Sequence, residues 1–150
     1  MEFSKGMKLL DMMPTGYDWN YVNELFNTLG ESGREIYLKN QIPVDMIYPL
    51  LFGLTYSLIF AYFLKKLGKL KPPFIYICYL PIIAGLADYL ENFGIINMLN
   101  NYPNITDTMV NTTSVFSVLK STSTSIFFIA LIVILIILGI KFLKRNKTAA

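Results

Sequence analysis

From Ser121 to Ile140 the chain carries twenty consecutive uncharged residues, closing on the run IFFIALIVILIILGI. A helix of about 20 mostly apolar residues matches the roughly 30 Å hydrocarbon core of a bilayer, so this stretch predicts a membrane span. A second stretch has the same character: Met46 to Leu64 is nineteen uncharged residues between Asp45 and Lys65. A third candidate needs more argument. Pro72 to Ala87 is free of charge but too short to cross; extension to about Ile96 reaches a workable length and takes in Asp88 and Glu91. Neighbouring helices could shield two carboxylates, so the span is accepted. Composition agrees, with 54% hydrophobic and only 15% charged residues, against about a quarter charged in soluble domains.

The expected fold is an all-α membrane protein, a compact helical bundle forming one domain over residues 1–150. Three transmembrane helices at about 44–64, 73–96 and 113–141 follow an N-terminal amphipathic helical segment, 1–42. In that segment Trp19, Val22, Leu25, Phe26 and Leu29 recur at helical spacing, with Asp18, Asn20, Asn23, Glu24 and Asn27 opposite. Gly30 reads as a helix stop. Ser32 and Glu35 have the spacing of a capping box that would start a second short helix running to about Gln41. Pro43 would then open the first span, where a missing N–H is harmless. Such a segment lies on the membrane or caps the bundle. No cleavable signal peptide is expected, because acids from Glu2 to Glu35 interrupt any apolar core in the first 40 residues.

Lys65, Lys66, Lys69 and Lys71 follow the first span, and Lys141, Lys144, Arg145 and Lys147 follow the third. The connection between spans two and three, from Asn97 to Ser114, has no Lys or Arg. The positive-inside rule therefore predicts a cytoplasmic lysine loop and C-terminus and an outer N-terminal segment. Placing the lysines beside apolar segments suits a lipid bilayer as partner, and no nucleic acid is expected. The chain has no His and a single Cys, Cys78, which removes the commonest general base and metal ligand and any internal disulfide. No cofactor and no metal are expected.

The remaining chemistry lies in charges near or inside the spans: Asp45, Asp88, Glu91 and Lys120, with Asn92. Each ionisable group at mid-membrane costs at least about 2.5–3.5 kcal/mol on insertion scales, so each needs a reason. Asp88, Glu91 and Asn92, spaced i, i+3, i+4, share one helix face, continued by Ala84 and Gly85, whose small side chains let a second helix approach. Thr113, Ser117, Lys120 and Thr124 form a polar stripe on the third span. Counted along the helices, the four charges fall in one half of the bilayer, near the segment holding Arg34 and Glu35. Asp45 has a purely local explanation in a first helical turn, where the macrodipole favours an acid. Lys120 has one in snorkelling to the headgroups. Asp88 and Glu91 sit towards a helix C-terminus, where the dipole opposes them, and require a cation, a proton or water. Pro49 and Pro81 are positioned to kink their spans. Asn104 and Asn111 match glycosylation acceptors, which matter only in a eukaryotic secretory pathway, and Asn- and Thr-rich loop composition is the favoured explanation.

The succession GYDWNYVNELFNTLGESGREIYL, PVDMIYPLLFGL, AGLADYLEN and a Lys ahead of the last span resembles a group of small multi-pass membrane proteins of bacteria. The resemblance covers most of the chain and carries no activity. It implies that Gly33, Arg34, Asp45, Pro49, Asp88, Glu91 and Asn92 belong to one pattern, and that the membrane is a bacterial inner (plasma) membrane. No P-loop, nucleophile elbow or zinc-protease signature is present. The leading expectation is a non-catalytic subunit or accessory module, whose Asp/Glu/Lys network fixes packing or contacts a membrane protein partner or second copy. One alternative is a small-ligand, lipid or ion binding or permeation protein using Asp45, Asp88, Glu91, Asn92, Lys120 and Arg34 as a pocket. Another is an intramembrane lipid-modifying enzyme with Asp88 or Glu91 as general acid/base, with or without a divalent cation.

Overall fold

The structure is a computed structural model and describes residues 4–147, so Glu2 lies outside the described residues. Among these all regular structure is helical, without strands. Three helical stretches are long and apolar enough to cross a membrane: Trp19–Lys66, Phe74–Asn101 and Asp107–Lys144.

Helix α1 spans Trp19–Ile36, and Asp18 caps it, its side chain accepting from the Tyr21 backbone N–H at 2.8 Å. At Gly30 the backbone turns to φ 64°, a region open to glycine at no steric cost, and the helix bends there. The expected capping box does not form: among the described residues Ser32 makes no capping hydrogen bond, and Glu35 pairs with Lys39 at 2.6 Å. A wider π turn, Tyr37–Gln41, runs directly into α2, Ile42–Asp45. No helix therefore starts at Pro43; the chain stays helical through it. The break falls at Met46–Ile47, and α3, Tyr48–Lys66, starts beyond it.

A 3-10 turn at Phe74–Tyr79 precedes α4, Leu80–Asn101. Pro49 and Pro81 both stand in the first turns of α3 and α4. There the missing N–H breaks no bond of α3 or α4, and each proline follows an irregularity of its stretch, the break at Met46–Ile47 and the 3-10 turn at Phe74–Tyr79. Helix α5 is far longer than expected, Asp107–Lys147, 41 residues or about 60 Å at 1.5 Å per residue. The polar connection before it shrinks accordingly to residues 102–106. Only 11% of the most apolar window of α5 is buried by the protein. The rest, including Ile129, Ile132 and Ile136 at more than half exposure, requires an apolar surrounding.

Two cores organise the packing. One joins α3, α4 and α5 through Phe52, Phe60, Leu64, Ala84, Phe127 and Ile134. In it Phe127 stacks edgewise on Phe52 and Tyr56, with centroids 6.0 and 5.2 Å away. The other lies under the N-terminal segment. Leu10, Val22, Leu25 and Phe26 are fully buried there against Ile95 and Met98 of α4 and Val110 of α5. At roughly 1.5–3 kcal/mol per fully buried large apolar side chain, these residues supply the adhesion of the segment. The segment thus covers the end of the bundle remote from Lys141, called here the capped end. Helices α3 and α4 meet closely near that end, where a Cβ at Gly85 would stand 2.7 Å from the Pro49 carbonyl oxygen. Only glycine fits such an approach.

Candidate functional site

Asp88 and Glu91 project from α4 towards α5, and Lys120 of α5 meets both. Its Nζ lies 2.5 Å from Glu91 Oε2 and 3.3 Å from Asp88 Oδ1, and donates a third bond to the Asp11 carbonyl oxygen at 3.2 Å. Two hydrogen bonds and the ion pair with Glu91 turn the Lys120 ammonium into the bundle. Glu91 is fully buried, and the Asp88 and Lys120 side chains keep 14% and 17% of their surface.

The polar stripe of α5 serves mainly as an anchor for the N-terminal segment. Ser114 Oγ accepts from the Tyr17 N–H at 2.9 Å, and Ser117 Oγ donates to the Met13 carbonyl at 2.8 Å. Thr113 turns back to its own helix, donating to the Met109 carbonyl at 2.7 Å. The segment in turn delivers Asp11, whose carboxylate accepts from the buried Tyr37 hydroxyl at 2.5 Å. Asp45 accepts from Gln41 Nε2 at 3.1 Å and neighbours Asp11.

Between α3 and α5, with α4 as floor and the N-terminal segment as roof, lies a cavity of about 410 Å³. Asp11 and Pro14 line it from the roof, Asp45, Tyr48 and Phe52 from the α2–α3 side, and Ala84, Gly85 and Asp88 from α4. Lys120, Ser121, Thr124 and Ser125 complete it from α5. Of the six residues singled out in the sequence, Asp45, Asp88 and Lys120 reach this cavity. Glu91 sits behind it, held by Lys120. Asn92 is fully buried one turn beyond Asp88, with neither amide atom partnered. Arg34 is not brought to the cluster. Its Nη1 donates to the Phe26 carbonyl at 2.8 Å and its guanidinium lies 4.5 Å from the Tyr102 ring centroid, tying α1 across its bend.

Three buried oxygens besides Asn92 lack a hydrogen-bond partner, Tyr17 Oη and both Glu91 carboxylate oxygens, of which Oε2 has the Lys120 ion pair alone. Burial first, then the Glu91 and Asp11 carboxylates, push the Tyr17 phenol well above its ordinary value. Asp11 and Tyr37 are the members of the site that sequence reasoning missed. One signal was present: Asp11 interrupts the apolar run Leu9-Leu10-Asp11-Met12-Met13, the same anomaly that marked Asp88 and Glu91. Among the described residues no group of three or more His, Cys, Asp or Glu side chains is placed to hold a metal ion.

No protein-family model, no curated protein and no solved structure matches the chain. The residue roles therefore rest on geometry alone.

Proposed function

We propose that the chain is a non-catalytic membrane protein that binds a small ligand in the cavity between α3 and α5. Asp45 and Asp88 are its ligand-facing groups, and the Glu91–Lys120 pair is the internal brace that holds α4 and α5 in register. The carrying observation is a cavity of about 410 Å³ walled by three carboxylates, within the range of small-molecule sites. A register pin alone needs no such space, which favours ligand binding over a purely architectural accessory role. Catalysis has less support, because the lysine nearest the cavity already has three acceptors. With the lysine loop and C-terminus on the cytoplasmic side of a bacterial inner membrane, the capped end and its cavity occupy the outer half of the bilayer.

The test is native purification of wild type and Asp88→Asn, followed by mass spectrometry of what each retains. The reading expects a small molecule or lipid held by wild type and lost from a folded variant. A bare wild-type chain, or a stable complex with a second protein whose formation ignores Asp45 and Asp88, refutes it.

A further inference from the structure

Resting on the ligand-binding reading above, the chemical class of the ligand follows from the charge balance of the cavity walls. Asp11, Asp45 and Asp88 line the cavity, and Lys120 is the one cation among its lining residues. The ammonium of Lys120 is committed to Glu91, Asp88 and the Asp11 carbonyl. An anionic ligand would find no free cationic donor and would face three carboxylates. A neutral apolar ligand would strip water from those carboxylates and return nothing for it.

From α4 the cavity is lined by Ala84, Gly85 and Asp88, whereas the buried Asn92, one turn beyond Asp88, does not reach it. The rings of Tyr48 and Phe52 form the α3 wall, and aromatic faces attract cations. On α5 the cavity spans Ser121 to Ser125, just inside the end of the charge-free run marked by Lys120. An ammonium group seated there can carry an acyl or alkyl chain out between α3 and α5, where the exposed ring of Tyr48 forms the rim.

We infer that the cavity at the capped end, lined by the carboxylates of Asp11, Asp45 and Asp88 and by Tyr48 and Phe52, takes an ammonium group. Its source is an amine-bearing lipid headgroup or a free amine. The carboxylates supply the counter-charge and the aromatic wall a cation–π face.

The test uses the full chain in neutral maltoside micelles, with decylammonium, decanol and decanoate as probes of one chain length. At a hundredfold excess over its Kd, decylammonium is expected to raise the Tm by roughly 5–10 °C, while decanol and decanoate do not. Asp45→Asn, which leaves the Lys120 pairs intact, is expected to weaken decylammonium by about tenfold or more while the variant stays folded. If ethylammonium competes with decylammonium, the source is a free amine. If it does not, and phosphatidylethanolamine nanodiscs stabilise the protein over phosphatidylglycerol ones, the source is a lipid headgroup. Decanol binding as tightly as decylammonium, with Asp45→Asn unchanged, overturns the ammonium class and leaves the cavity a binding site for apolar ligands. No shift with any probe, together with a bare chain in native mass spectrometry, overturns the binding reading itself.

Discussion

Replacing Lys120 by Met removes one charge and keeps nearly the same stem. Two carboxylates then lose their counter-ion. At an effective dielectric of about 20, a pair at 2.5 Å attracts by about 7 kcal/mol and one at 3.3 Å by about 5, the separations found for Glu91 and Asp88. Desolvating the ions takes back several kcal/mol each, so the pair contributes little when both partners are present. Removing only the cation is different. Glu91 is fully buried with one oxygen already unpartnered, and an uncompensated buried charge costs about 3–5 kcal/mol. Reversible unfolding in mixed micelles, followed by near-ultraviolet circular dichroism, should show that loss for Lys120→Met. The double variant Lys120→Met/Glu91→Gln should recover about 2 kcal/mol of it, because the charge at risk leaves with its partner. A single variant within about 1 kcal/mol of wild type, or a double variant no better than the single, would refute the buried-brace reasoning.

Gly85→Ala should destabilise by about 1–3 kcal/mol through forced separation of α3 and α4, because its new methyl meets the Pro49 carbonyl at 2.7 Å. Gly139→Ala, with nothing within 4 Å, is the control and should not lose stability in the same assay. Phe26→Ala should cost about 3–5 kcal/mol of the adhesion of the cap, read as faster proteolysis between Trp19 and Gly30 with the apolar helices still protected. Tyr37→Phe removes the 2.5 Å bond to Asp11 and should cost about 1–3 kcal/mol. Unchanged thermal stability in that variant would mean that Asp11 is held in place by other contacts.

The three apolar stretches and the amphipathic α1 were legible because hydrophobic length and period are local properties of the chain. Val22, Leu25 and Phe26 face inwards as their spacing requires. Boundaries were less legible. Whether α2 runs through Pro43, and whether α5 begins at Asp107 or inside the polar stretch before Lys120, is settled by what packs on each turn, which local preference does not encode.

The suspicion that buried acids need a cation was available from sequence, since any ionised group in hydrocarbon demands compensation. Lys120 was the partner the spacing favoured, and it meets Glu91 and Asp88, while the bend at Gly30 carries the further candidate Arg34 to Tyr102. Asp11 joins the site across more than a hundred residues of chain, its carbonyl oxygen accepting from Lys120. Periodicity therefore determined which faces of the helices are apolar and which charges were anomalous. Only the folding-back of the N-terminal segment decided which of those charges meet and that a cavity remains between them, because pairing at such separations depends on helix packing in three dimensions and leaves no local pattern to read.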